Sequence, residues 1–256
     1  MKSPIGFDSN GLLEQGMLCK RSKEKQFGRL AVLLVFAATG WIGTSASAQT
    51  THDFGSWFAT LSQGRIADSN VKWWFDGHLR YLDDAGGFNQ SILRPGVGYQ
   101  ISDNATVWLG YGWINTLPAS GNPVFDESRI WQQLSWSDKF DCGTVSLRSR
   151  LEQRFVETGN DTGWRYRQFA KLLKPLPICD QLSFSVWDEA FFDLNSTDWG
   201  QNASLSQNRA FVGLGWQFQG DNAPRLEVGY LNQFIRRRSA DDRNNHILST
   251  NYFWRF

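Results

Sequence analysis

Histidine and cysteine are scarce in this chain, with three of each in 256 residues. The cysteines, Cys19, Cys142 and Cys179, form no CxxC pair, and no histidine cluster accompanies them, so a metal centre is not expected. The few histidines also leave little material for nucleophilic hydrolysis, which needs a nucleophile held by a histidine base that a third group orients. His52 lies at the start of the folded chain, and His78 shares a charged strand face with Arg80. The neighbour of His246 on its own face is Leu248, not a serine. Asp188 and Glu189, side by side on a strand, point to opposite faces and cannot act as a pair. No catalytic constellation and no cofactor site are expected. Glycine pairs such as Gly96/Gly98 and Gly213/Gly215 lack the following helix that a phosphate-binding loop requires.

Long apolar runs are absent but for Leu30–Gly43. That run of about 14 residues is short for a spanning helix of roughly 20. It follows Lys20, Arg21, Lys23, Lys25 and Arg29 and precedes Ala46-Ser47-Ala48, the layout of a signal peptide cut after Ala48. Residues 1–48 are therefore expected to be a leader, with Met17 a candidate start, and residues 49–256 to fold as one exported domain. A helical membrane protein is excluded, whereas a β-barrel is not, because only alternate residues of its strands need be apolar. A charge of one sign is missing too. Beyond Ala48 the chain carries 20 Lys and Arg against 22 Asp and Glu, so nothing points to nucleic acid.

Tryptophan, by contrast, is abundant: 13 residues, 12 of them after the leader. Barrels place Trp and Tyr in girdles at the two membrane interfaces. The closing stretch shows the pattern most clearly. Tyr252, Trp254 and Phe256 alternate with Asn251, Phe253 and Arg255, and the chain stops on Phe256. This ending resembles the closing strand of a bacterial outer-membrane barrel, the segment that the barrel-assembly machinery reads.

Upstream, the alternation recurs in eleven segments: 54–66, 71–83, 88–101, 106–117, 127–140, 144–157, 164–174, 182–194, 207–219, 225–237 and 245–256. Segment 71–83 sets Val71, Trp73, Phe75, Leu79 and Tyr81 against Lys72, Asp76, His78 and Arg80. Such lengths suit a tilted membrane crossing, whereas the strands of a soluble sandwich, the competing architecture, run nearer six residues. Shorter connections alternate with longer ones rich in Gly, Asn, Ser and Asp, as periplasmic turns alternate with outer loops. The expected fold is all-β, a transmembrane antiparallel up-and-down barrel of about 10–12 strands in the bacterial outer membrane. Ten crossings, from residue 71 onward, satisfy a periplasmic carboxyl terminus. Segment 54–66 is then an eleventh that lies against or within the barrel, or joins Gln49–Gly55 in a hairpin to make twelve. Cys142 and Cys179 fall at the same rim, about two strands or roughly 10 Å apart, beyond the span of a disulfide. A seven-residue connection, Pro175–Gln181, would let them close that gap, and their pairing is left open.

Several motifs occur in one order: Arg94-Pro95-Gly96-Val97-Gly98-Tyr99, Ser128-Arg129-Ile130-Trp131-Gln132-Gln133, Arg150-Leu151-Glu152-Gln153-Arg154-Phe155 and Arg165-Tyr166-Arg167. Trp187-Asp188-Glu189, Leu194-Asn195, Gln207-Asn208-Arg209-Ala210-Phe211 and the run Glu227–Gln233 follow. Together they resemble domain of unknown function 2490, a group of exported bacterial proteins regarded as outer-membrane barrels. The resemblance covers roughly Trp57 to Phe256 and implies the barrel and its location, but no activity.

With the apolar face outward, the lumen receives Lys72, Arg80, Arg94, Arg129, Arg148, Arg150, Arg154, Arg165, Arg167 and Arg209 against Asp76, Glu152, Glu189, Asp193 and Glu227. A structural ion-pair network explains such a set. The excess of basic groups also suits a basic constriction or pocket for a small anion or an anionic lipid part, as in a narrow anion-preferring passive pore. A lipid-A- or phospholipid-modifying enzyme is the alternative. Asp188 falls on the apolar face, where a bulge or a site near the rim would account for it. The partners expected from the location are outer-membrane lipids, lipopolysaccharide and the assembly machinery.

Overall fold

The computed structural model describes residues 50–118, 123–238 and 240–256; the expected leader, 1–48, lies outside the described residues. The regular elements are β1 (Thr50–Arg65), β2 (Val71–Leu82), β3 (Gly87–Gln100), β4 (Ala105–Thr116), β5 (Phe125–Phe140), β6 (Gly143–Val156), β7 (Thr162–Leu176), β8 (Cys179–Asp193), β9 (Ser204–Gln217), β10 (Arg225–Ile235) and β11 (Asp242–Arg255). They close into one barrel in chain order. Consecutive strands pair antiparallel, but the closing pair, β1 with β11, is parallel, from Thr50 opposite Asp242 to Gln63 opposite Arg255. The reason is arithmetic. An odd number of strands that reverse direction at every turn leaves the first and last pointing the same way. Segment 54–66 is thus a full wall strand, extended back to Thr50, and the described residues contain no twelfth strand.

Parallel closure puts the two ends of the described chain at opposite rims. Thr50 shares one rim with the connections 83–86, 117–124, 157–161, 194–203 and 236–241; Phe256 shares the other with 66–70, 101–104, 141–142, 177–178 and 218–224. The first is called here the loop rim and the second the turn rim. At the turn rim the amide of Phe256 donates to the Gln63 carbonyl (3.0 Å), and the rings of Trp73 and Trp254 pack on Phe256 with centroids 5.7 and 4.7 Å away. Tyr252, Trp254 and Phe256 therefore form an outward aromatic group beside the seam. At the loop rim the Asp53 carboxylate accepts the amides of Asp83 and Asp84 (3.1 and 3.2 Å). It holds a tight connection in which Asp83, Asp84 and Ala85 all have positive φ, a conformation that non-glycine residues seldom adopt without such support.

Alternation decides which side chains face out. Every strand contributes exposed apolar groups to the outer wall, among them Phe58, Leu79, Val97, Leu109, Leu134, Phe155, Trp164, Phe184, Leu214, Val228 and Leu248. A belt of this extent is far beyond the scattered apolar exposure of a soluble surface. Asp188 stays on the outer face in unbroken register, opposite Ala170 and Ala210; the bulge in β8 falls instead at Phe191/Phe192. Its carboxylate is nonetheless buried, because both oxygens accept the Asn208 amide (3.1 Å each).

Cys142 and Cys179 are both free thiols. The connection expected to bring them together shrinks to residues 177–178, because β7 and β8 pair as far as Leu176 opposite Cys179. Cys179 then spends its Sγ on Gln181 Oε1 (3.0 Å).

Candidate functional site

The lumen is lined by the polar set of each strand and packed in two kinds of layer. On one wall Trp74, Trp108 and Trp131 meet edge to face, with centroids 5.2 Å apart for Trp74–Trp108 and 6.2 Å for Trp74–Trp131, and Leu61 packs against them. Glycine makes this possible. A Cβ on Gly96 would lie 2.6 Å from the Trp131 ring, and one on Gly98 would clash with Trp108. The inward glycines of β3 and β4 are therefore seats for indole rings. Across the lumen Trp57, Phe211, Leu231 and Ile247 form a second cluster, with Trp187 stacked on Phe211 (5.2 Å).

Charged groups fill the space between. Glu127 accepts both Nε and Nη2 of Arg129 (2.7 Å each) and Nε of Arg154 (2.6 Å). Glu152 accepts two hydrogen bonds from Arg165 (2.6 and 3.0 Å) and one from Arg167 (2.6 Å). Arg167 also donates to Glu189 Oε1 (2.7 Å), the oxygen that Arg148 reaches as well (2.6 Å). Asp76 accepts Arg94 Nε (2.6 Å) and Trp74 Nε1 (3.0 Å). Such charge-assisted, multidentate bonds fix the planes of the guanidinium groups. Arg150, almost wholly buried, bonds Gln133 Oε1 (2.8 Å) and lies 4.4 Å over the Trp131 ring. Trp131, Glu152 and Arg150 are thus all buried in the middle of the barrel.

Above this layer, toward the loop rim, lies a cavity of about 440 Å³. Eight arginines line it: Arg80, Arg94, Arg129, Arg154, Arg165, Arg167, Arg209 and Arg243. One carboxylate, Glu127, does so. The other acids of the network, Asp76, Glu152 and Glu189, grip the arginines from outside the cavity lining. Amides of Gln90, Gln207, Gln233 and Asn245 and the rings of Trp57, Phe191 and Trp199 complete the wall. Trp199 is brought in by the connection 194–203. Its Nε1 donates to the Asp161 carbonyl (2.8 Å), and Arg154 packs 4.9 Å from its ring. The carboxyl of Asp198 beside it is held below its ordinary value by the backbone amides of Asn160 and Asp161, which it accepts at 2.8 and 3.2 Å.

Three of the lining arginines, Arg80, Arg209 and Arg243, donate no hydrogen bond to a carboxylate of the described residues. Among the described residues no carboxylate comes within 4.0 Å of Arg80, whose Nη1 donates to Gln90 Oε1 (2.8 Å) and whose guanidinium lies 4.0 Å from the Trp57 ring centroid. Arg209 sits 4.9 Å from the same ring, and its nearest carboxylate oxygen, on Glu189, is 3.8 Å away. Gln207, with its amide oxygen turned toward Arg209, accepts both Nε and Nη2 of that guanidinium.

Of the residues that sequence singled out, Arg94, Arg129, Arg154, Arg165, Arg167 and Arg209 meet in the cavity, and Arg148, Arg150, Glu152 and Glu189 support it. Glu227 does not join them: it holds Lys171 (2.6 Å), Arg225 (2.9 Å) and Ser185 (2.9 Å) in a separate cluster nearer the turn rim. Glu127, Lys171, Arg225 and Arg243 were missed. Lys171 and Glu127 share parity with Arg167 and Arg129, so a stricter reading of alternation finds both. His78 joins the network through Arg94 (2.7 Å), whereas His52 and His246 bond each other on the outer wall (3.1 Å).

Comparison with known proteins adds a family and a relative. The profile of the family described as Protein of unknown function (DUF2490) matches residues 54–245. The chain is similar to an uncharacterized protein of Methylorubrum extorquens, 34% identical over 216 residues, which cover 84% of this chain and 92% of that protein. No solved structure matches.

Proposed function

The chain belongs to the DUF2490 family, and we propose that it is a non-enzymatic outer-membrane barrel whose blind, arginine-lined vestibule binds an anionic ligand. The observation that carries the reading is the imbalance of that cavity: eight guanidinium groups line it, against Glu127 in the lining and Asp76, Glu152 and Glu189 behind it. A network evolved only to neutralise itself has no need of such an excess. The outer apolar belt on every strand and the aromatic group around Phe256 support insertion in the outer membrane. Phe256 then marks the periplasmic face, and the vestibule faces outward. Lipopolysaccharide and phospholipid surround it, and the assembly machinery inserts it.

The buried layer of Trp131, Arg150 and Glu152 favours a binding cup over the anion-preferring pore that the sequence suggested. No histidine is placed to activate a nucleophile, since His78 is engaged by Arg94 and by Asp76 (3.3 Å). The test is calorimetric titration of the purified mature barrel in detergent with citrate. Binding that weakens as salt screens the arginines is expected. No binding at low ionic strength overturns the reading.

A further inference from the structure

Three residues that line the vestibule each carry a buried polar atom without a hydrogen-bond partner among the described residues: Trp57 Nε1, Arg80 Nε and Asn245 Oδ1. Their residues are 6%, 7% and 1% exposed, and all three line the cavity. Unpaired buried donors and acceptors are costly in a folded protein and are normally satisfied. Three of them on one wall describe the missing partner. Arg80 and Arg209 supply its charge. Both lie over the Trp57 ring, at 4.0 and 4.9 Å, so at most the sum of those distances separates their guanidinium carbons. Two like charges over one ring, Arg80 with no acid within 4.0 Å among the described residues and Arg209 with its nearest carboxylate oxygen at 3.8 Å, suit a single group that carries two negative charges and presents several acceptor oxygens.

A phosphate monoester has both properties, and its tetrahedral oxygens accept forks from two arginines at once. A carboxylate offers one charge and two oxygens. The free Asn245 oxygen adds a requirement of the opposite kind. Its Nδ2 already donates to Gln233 Oε1 (2.9 Å), so the remaining oxygen needs a donor, such as a hydroxyl. Phosphate alone fills a small part of about 440 Å³, a volume within the range of sites for small organic ligands. Gln233 and Gln207 extend the hydroxyl-binding wall.

We propose that the stretch of vestibule wall formed by Trp57, Arg80, Arg209 and Asn245 is a subsite for a sugar phosphate, its phosphate between Arg80 and Arg209 and a sugar hydroxyl on Asn245. The inference rests on the anion-binding reading above and narrows it. The sugar phosphate comes either free in solution or as the phosphorylated glycan of a lipid; the chemistry at this wall is the same.

The test follows intrinsic tryptophan fluorescence and calorimetry of the mature barrel with glucose 6-phosphate, glucose, inorganic phosphate and citrate. Glucose 6-phosphate is expected to bind more tightly than phosphate, and glucose not to bind. Arg80→Gln and Arg209→Gln should each weaken glucose 6-phosphate at least tenfold. Asn245→Leu should weaken it while leaving inorganic phosphate within twofold. Heat-modifiable gel migration identifies any variant that fails to fold, and Arg80→Lys, which keeps the charge, then replaces Arg80→Gln with an intermediate loss expected. Vesicles that carry a phosphorylated glycolipid compete if the source is a lipid; failure to compete, with glucose 6-phosphate still bound, assigns the free form. Citrate binding without glucose 6-phosphate binding overturns the subsite and leaves the anion reading intact. Binding of neither overturns both.

Discussion

The indole of Trp131 rests on Gly96, 2.6 Å from the point where a Cβ would stand. This contact lets a large ring lie flat against the inner wall, where it supports Arg150 below the vestibule. Gly96→Val should cost about 1–3 kcal/mol through overpacking. Trp131→Ala should cost about 3–5 kcal/mol through the lost ring and the void it leaves. The two losses should be less than additive in a double variant, because removal of the ring removes the clash. Urea unfolding in micelles measures all three, and strict additivity would show that ring and glycine are independent.

Glu152, fully inaccessible, receives Arg165 and Arg167 and lies 3.8 Å from Arg129 and from Arg150. Glu152→Gln leaves several buried guanidinium groups without their shared counter-charge. Loss of one partner from a buried ion pair typically costs about 3–5 kcal/mol. Chemical unfolding of the variant should show a loss of that order, and a change under about 1 kcal/mol, as for exposed pairs, would mean that water reaches this layer.

The parallel seam fixes the two rims relative to each other. Connections 66–70 and 218–224 share the rim of Phe256, and 83–86 and 194–203 the opposite one; the proposed periplasmic position of Phe256 would put the first pair inside and the second outside. An epitope inserted at 83–86 should bind antibody on intact cells, and one at 66–70 only after permeabilisation. Equal labelling of the two would contradict the assignment.

Asp198 ties the connections 157–161 and 194–203 together. Its carboxyl is depressed below 3.8 by the Asn160 amide first and the Asp161 amide next. A depressed acid contributes stability above its unfolded value and loses it as pH falls through the folded one. The Asn160 amide resonance, followed by NMR in micelles, should therefore titrate with a midpoint below 3.8. A midpoint at or above that value would mean that the link is absent in solution.

Much of this was legible in the sequence. The eleven segments, the facing of Lys72, Asp76, His78 and Arg80, and the convergence of the later arginines all follow from period-two alternation, a local property. What was missed is non-local or terminal. Parallel closure depends on whether Thr50 begins a wall strand, which residues 49–55 alone do not decide. Glu127 and Arg243 fall near the first residues of β5 and β11, where strand boundaries are least defined by pattern. Trp57 meets Arg80 across one pair of strands but Arg209 from β9, three strands further round the wall, a contact that no sequence spacing records. The seven-residue connection Pro175–Gln181, which would let the two cysteines approach, is mostly strand, because a bulge at Pro175/Leu176 lets the ladder continue to Leu176 opposite Cys179.

The central claim is that the apolar wall meets hydrocarbon while the arginines face an enclosed lumen. Nitroxide labels at Val97, Leu109, Val212 and Leu214, placed singly in a Cys142→Ser, Cys179→Ser background and reconstituted in phospholipid, test it most directly. Collisional relaxation by dissolved oxygen should far exceed that by a water-soluble nickel complex at all four positions. Stronger relaxation by the nickel complex at these positions would place the wall in water and contradict the account.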